Sequence, residues 1–415
     1  MRVGEVQQPE RAHWGKPLAG VRILAAEQMQ ALPYATQLLA HLGADVVKIE
    51  HPLHGESGRG AQPSLTDRDG RVVGATYLRN NLSKRSVSLD LKSAAGRELF
   101  LRLVPHFDVV AENFTPGTMD RLGLGVDAIS EVDPKVIYVS ISGFGNRVPS
   151  PYAHWPAYAP VAEAMGGLYE PTRKPGKPPP VVVAGALGDN ASALFTTIGI
   201  LAALRHREST GLGQHVDVSM YDSMIAMTDM VPQLWSMDAP PEWATAGSIG
   251  IVAGFKASDG YFVISVFREH HFERLATLVG HPEWCKEERF ATRQGWAEQI
   301  EPSIRPALEA WAAGMTKLEA CEALCAQGVA AGPSNVAQDI HADPHVEMHN
   351  MLIEVPRPDS DKPMLVVGNP VKLSRVAEGP VERFPTLGEH TDDVLRELLE
   401  LSDDDLADLR ARDVI

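Results

Sequence analysis

The first strong hydrophobic pattern begins at Val21. VRILAA is a short apolar run, EQMQALP interrupts it, YATQLLAHLG places apolar residues at helical spacing up to Gly43, and ADVVKIE is a second apolar run. Strand, helix and strand in such close succession predict a βαβ unit, whose handedness favours a parallel sheet. The pattern then recurs. SVSLDL at 86–91 precedes helical spacing from Ser93 to Leu103, while DVVAEN at 108–113 and KVIYVSIS at 135–142 read as further strands. The chain up to Gly145 is therefore expected to form a doubly wound α/β layer.

Prolines and glycines crowd positions 145–180, as they do where a chain wraps over a surface or lines a site. A long helix is predicted from Asn190 to Arg207, with Ala193, Leu194, Thr197, Ile198, Leu201, Ala202 and Leu204 on a broad apolar face and TGLGQ as its stop. HVDVSMYDSMIAM reads as a strand running into a helix. Past Met237 the turn-rich DAPPEWATAGSIG breaks the pattern. Beyond it FKASDGYFVISV predicts a hairpin around Asp259-Gly260, and helices are expected near His271–Leu278, Glu298–Ala313 and Lys317–Gln327. In the tail, MLIEVP and MLVVGNPVKL read as strands before a final acidic helix. The fold class expected is α/β: a Rossmann-like parallel-sheet large domain over 1–225, a smaller α+β domain over 226–335, and a C-terminal part, 336–415, returning to the large domain.

The composition changes this picture little: 44 % hydrophobic and 22 % charged residues in 415 are ordinary for a globular protein of more than one lobe. The formal charge of -16 argues against sequence-independent nucleic-acid binding, which needs Lys and Arg against phosphates. Cys285, Cys321 and Cys325 make no disulfide framework and suit a reducing compartment, so a cytoplasmic location is expected. Cys321 and Cys325 read as small buried residues. No apolar run of membrane-spanning length stands out, and the polar opening MRVGEVQQPERAHWGKP lacks an apolar signal core, so neither membrane nor secretion is expected.

Asp189, in VVVAGALGDNASALF, stands where a glycine-lined strand exit is expected to meet the long helix, in the N-cap position. A carboxylate there can simply accept backbone N–H bonds. Kept ionised by the helix N-terminus, with Gly185 and Gly188 leaving room for a substrate, it can also act as a nucleophile. Two other constellations weigh less. His341, His345 and His349 recur every four residues among Asp339, Asp343 and Glu347, but Pro344 interrupts any regular helix, so a solvated turn is expected and no metal. Glu50 ends the second strand, where a dinucleotide fold keeps its ribose acid. The loop AAEQMQALP has no glycine to admit a pyrophosphate, however.

From Pro17 to the C-terminus the chain resembles the family III CoA-transferases (CaiB/BaiF family), the group of formyl-CoA:oxalate transferase, carnitine CoA-transferase and the alpha-methylacyl-CoA racemases. PLAGVRIL, LLAHLGADVVKIEHP, KRSVSLDLK, AENFTPGTMDRLGLG, VIYVSISGFG, IGILAALRHRESTGLGQHVDVSMYD and LGEHTDDVL fall in the family's order. The resemblance implies a transferase that moves CoA from an acyl-CoA thioester to a carboxylic acid, with Asp189 carrying the covalent intermediates. It implies that Glu27 and Gln28 approach the pantetheine of CoA, that Lys84 and Arg85 serve its phosphates, and that Asn113, Phe114 and Arg121 hold its extended body. It also implies a homodimer of interlocked chains. The racemases place a histidine ahead of this aspartate, and here WPAYAPVAEAMGG offers Tyr158, with His154 four residues earlier. A phenol is a poor base for an alpha proton, so transfer is favoured over racemisation or epimerisation, and a CoA-binding protein without turnover is the alternative from a different class. The run of glycines with which the oxalate enzyme closes its site has no counterpart in GSIGIVAGF, so oxalate specificity is not expected.

Overall fold

The computed structural model describes residues 1–172, 176–181, 185–239 and 250–415. The chain divides into two compact units. Met1–Leu168, Val181–Thr228 and Pro344–Ile415 make the first, and Tyr169–Pro180 with Asp229–Asp343 make the second.

The first unit is built on six parallel strands: β1 (Arg22–Ala26), β2 (Asp45–Glu50), β3 (Lys84–Ser88), β4 (Val109–Glu112), β5 (Ile137–Ser142) and β6 (His215–Ser219). Their order is β3-β2-β1-β4-β5-β6. The chain runs outward from β1 to β3, then returns to place β4 on the other side of β1. That reversal creates a topological switch point between β1 and β4, where open α/β sheets bind their ligands at the carboxyl ends of the strands. The central strands are buried on both faces, which is why their sequences are continuous apolar runs rather than alternating ones.

One face of this sheet is covered by α1 (Ala31–His41), the other by α2 (Ala94–Leu103) together with the C-terminal helices Thr391–Leu399 and Asp403–Ala411. Leu99, Phe100 and Leu103 pack there with Val394, Leu395 and Leu406, so the tail completes the first unit's core. Helix α1 starts ahead of Tyr34 because Pro33 falls in its first turn, where the missing N–H leaves no hydrogen bond unmade. Next come α3 (Ala159–Met165), α4 (Leu187–Thr210) and α5 (Met220–Met227). Gly211, at φ +73°, ends α4 by donating its N–H to the Arg207 carbonyl.

Helix α4 is apolar on two sides. Ala193, Ile200, Ala203 and Leu204 join the core, while Leu194 and Ile198 of the expected apolar face are 47 % and 61 % exposed. By length and composition α4 is the one helix among the described residues that could cross a membrane, a match that the apolar-run reading passed over.

The second unit holds a three-stranded antiparallel sheet of β7 (Ile251–Lys256), β8 (Tyr261–Val266) and β9 (Ala330–Pro333), with β8 in the middle. Its hairpin turns at Asp259-Gly260, in the register Tyr261 opposite Lys256. Helices α6 (Glu269–Leu278), α7 (Arg305–Ala312) and α8 (Lys317–Ala326) enclose a core of Phe255, Phe262, Phe272, Trp284, Trp296, Leu308 and Leu324. The single helix expected over 298–313 is instead an α-turn segment Arg293–Glu298, a wider π turn Ile300–Ile304 and α7. Pro302 and Pro306 have no N–H to continue a regular ladder. Cys321 is buried as expected, but Cys325 is exposed.

Candidate active site

Helix α4 begins at Leu187, so Asp189 lies third in its first turn rather than at the N-cap. The N-cap is Ala186, held in the left-handed region at φ +39°, a strained geometry for a residue with a side chain. The apolar run expected to lead in as a strand falls partly on 182–184, outside the described residues, and Val181 and Gly185 are not strand. Gly188 permits a close approach: a Cβ there would lie 3.0 Å from the Ala159 Cα, tighter than an ordinary contact, so α3 and α4 meet backbone to backbone. The N–H of Gly188 donates to Glu163 Oε1 at 3.0 Å, and the Glu163 side chain is buried in α3.

Asp189 is partly buried, and its environment differs from the expected one. Burial and then the charge of Glu163 push its carboxyl up from the ordinary aspartate value of 3.8 to about 6, against the pull of the helix N-terminus. At that value most of it is ionised at pH 7.

At the switch point Asn113 follows β4 and Gln28 follows β1. The Gln28 N–H donates to Asn113 Oδ1 at 2.8 Å, and Asn113 Nδ2 donates to the Gln28 carbonyl at 2.9 Å. This reciprocal pair ties the two strand ends together. Ser57 Oγ donates to Gln28 Oε1 at 3.0 Å, and Met29, at φ +61°, donates its N–H to Glu56 Oε2 at 2.9 Å. The same loop then reaches α4, because Gln30 Nε2 donates to Asn190 Oδ1 at 3.2 Å and Asn190 Nδ2 to the Gly185 carbonyl at 2.6 Å. Strand ends and Asp189's immediate neighbour are thus joined by side-chain hydrogen bonds. Phe114 donates its N–H to Glu112 Oε2 at 2.8 Å and packs in part against the core, while Arg121 is exposed with Nη2 donating to Thr118 Oγ1 at 2.9 Å. Burial, with Asp120 and Asp217, pushes Glu112 up to about 8.

Three of the expected cofactor residues are placed otherwise. Lys84 and Glu27 have fully buried side chains, paired at 2.6 Å, and Lys48 lies 3.4 Å from the same Glu27 oxygen. Burial pushes the Glu27 carboxyl up, but Lys84 and Lys48 outweigh it and hold it below the ordinary value. For Lys84 burial wins, bringing the amine down to about 8. Both side chains are closed off from solvent and paired with one another, which corrects the expectation that Lys84 reads a phosphate and that the Glu27 carboxylate lies against pantetheine. Arg85 turns to the other side, as neighbours on a strand do, and meets Asp45 at 2.5 Å and Glu397 at 2.9 Å. It sits at the amino end of the sheet, away from the switch point. Glu50, the dinucleotide decoy, is locked to Arg59 at 2.6 Å.

The loop residue Gln30 and the buried Glu163 escaped the sequence reading. Gln30 sat in an apparent break, and Glu163 in the proline- and glycine-crowded stretch 145–180. Tyr158 precedes Ala159, the residue touching Gly188, whereas His154 lies further back and exposed. Among the described residues no group of three or more His, Cys, Asp or Glu could hold a metal. The short helices Ala337–Ala342 and Pro344–Met348 break at Asp343, and the rings of His345 and His349 stack with centroids 3.9 Å apart. The stretch 247–255 falls partly outside the described residues, with Ile251–Phe255 in β7.

Residues 18–391 match the family described as CoA-transferase family III. The chain is 36 % identical over 390 residues to the succinyl-CoA:mesaconate CoA-transferase of Haloarcula marismortui, covering 92 % of this chain and 96 % of that one. It is 33 % identical over 428 residues to the formyl-CoA:oxalate CoA-transferase of Streptomyces coelicolor, covering 96 % and 99 %. A crystal structure of a CaiB/BaiF family protein from Brucella suis superposes with a TM-score of 0.79 at 31 % identity, over 92 % of this chain and 99 % of that one. With a doubly wound sheet, a bridged switch point and an ionised carboxylate beside it, the chain belongs to CoA-transferase family III and is a CoA-transferase.

Proposed function

We propose that this transferase moves CoA from an acyl-CoA to a small carboxylic acid through covalent intermediates on Asp189. A carboxylate oxygen of Asp189 attacks the thioester carbonyl, the C–S bond breaks, and CoA leaves as thiolate from a mixed anhydride. The thiolate then attacks the aspartyl carbonyl and expels the donor's acid, leaving an aspartyl-CoA thioester. The acceptor carboxylate repeats the sequence in reverse, forming a new anhydride that the thiolate resolves to the product thioester. The nucleophile is already an anion, so no general base, ATP or metal is needed.

The observation that carries this reading is the hydrogen-bonded path from Asn113 through the Gln28–Gln30 loop to Asn190, beside an ionised Asp189. It supports CoA binding along the switch point, with Gln28, Asn113 and Phe114 against its body and Arg121 as the exposed cation for its phosphates. The acids in the relatives' names, mesaconate and oxalate, are small and dicarboxylic, and we assign the acceptor to that class. The exposed apolar side of α4 supports a homodimer, to be checked by sedimentation.

Incubation with acyl-CoA, intact-mass measurement and peptide mapping test the chemistry. A hydroxylamine-sensitive adduct on Asp189 is expected, lost together with turnover in Asp189→Ala. An active Asp189→Ala enzyme, or an adduct on another residue, would overturn the reading. Deuterium entering the alpha carbon without CoA exchange would assign a racemase instead.

A further inference from the structure

The loop that follows β1 is held by side chains brought to it from elsewhere in the first unit. Lys48 Nζ, on β2, donates to the Glu27 carbonyl at 3.2 Å, Asn113 bonds both the N–H and the carbonyl of Gln28, and Glu56 Oε2 accepts the Met29 N–H at 2.9 Å. Residues 27–30 are neither helix nor strand, so these bonds stand in for a regular ladder. Met29 adopts φ +61°, a conformation that costs a residue with a side chain and persists only where its surroundings over-determine it. The bond to Glu56 is made at that residue itself.

The Glu56 side chain is buried, and the oxygen that takes the Met29 N–H also takes that of Gly58 at 2.5 Å. The other oxygen makes no hydrogen bond among the described residues and lies 3.7 Å from Lys48 Nζ, whose charge offsets that of a buried carboxylate. The backbone of Glu56 is itself anchored, its N–H donating to Glu50 Oε2 at 3.2 Å, and the next residue, Ser57, holds the Gln28 side-chain amide. We infer that Glu56 is a positioning residue for acyl-CoA binding: it pins Met29 in the left-handed region and so sets the course of the chain between Gln28, bridged to Asn113, and Gln30, bridged to Asn190. The inference rests on the proposal that this loop meets acyl-CoA and deepens it.

Two substitutions separate the hydrogen bond from the charge. Glu56→Asp keeps the charge and, as a good N-cap residue, the bond to Gly58, but draws the carboxylate back by one methylene, about 1.5 Å, out of reach of Met29. KM for acyl-CoA should rise about tenfold, with kcat within about twofold of wild type and the urea midpoint little changed. Glu56→Gln keeps an oxygen for both N–H groups and loses the charge beside Lys48, so the urea midpoint should fall while KM stays within about twofold of wild type. A wild-type KM in Glu56→Asp, or an equal rise in both variants, overturns the inference. If Glu56→Asp does not fold, amide exchange in the wild type decides: the Met29 N–H, outside any helix or strand, should exchange slowly, and rapid exchange there overturns the inference. Gln28→Ala tests the underlying reading separately. An unchanged KM for acyl-CoA in that variant overturns the loop's role in binding whatever Glu56 does, whereas a raised KM there beside a wild-type KM in Glu56→Asp sinks the positioning role alone.

Discussion

Replacing Asp189 by Asn removes a charge that the folded chain holds at a cost, so the variant should be more stable than the wild type while losing transfer. The sign follows from the carboxyl's rise from 3.8 to about 6 on folding. Between those values the folded state binds more protons than the unfolded one, so stability falls as pH rises through the window, and the whole cost is present above it. From the two values the ionised form costs roughly 3 kcal/mol at pH 7.5 and about half of that at pH 5. Asn has nearly the same shape and no charge. Urea midpoints of CoA-free protein at matched concentration should therefore favour Asp189→Asn at pH 7.5 and favour it less at pH 5. Equal or lower stability at pH 7.5, or a gain that ignores pH, would refute the electrostatic account of this turn.

Lys84→Met should destabilise the chain by about 3–5 kcal/mol, since it leaves the buried Glu27 with Lys48 alone, and denaturant unfolding will read this. A variant of normal stability that merely binds CoA poorly would return Lys84 to the phosphate role. Asn113→Ala removes both hydrogen bonds to the Gln28 backbone, each worth about 1 kcal/mol, and should raise KM for acyl-CoA about tenfold with kcat little changed in steady-state assays. Arg121→Ala should weaken acyl-CoA binding most at low salt and leave the urea midpoint unchanged, because its guanidinium is exposed.

The amino-acid sequence by itself determined the βαβ order, the strand runs, the long helix and the aspartate at its start. These rest on local periodicity and on the ordered motifs of one family, both visible along a single chain. The reading failed where side-chain direction or distant neighbours decide. Lys84 and Arg85 are adjacent in sequence yet turn to opposite sides of a strand, and each meets carboxylates brought from elsewhere: Glu27 for one, Asp45 and Glu397 for the other. Asp189 was legible as a helix-start acid, but its proton affinity depends on Glu163, on a different helix, and on burial that exists only once α3 and α4 pack through Gly188. Gln30 gained its place beside Asn190 only when the return to β4 opened the switch point. Periodicity is a property of neighbours along the chain, whereas pairing and electrostatics are properties of neighbours in space, and the packed structure alone supplies those.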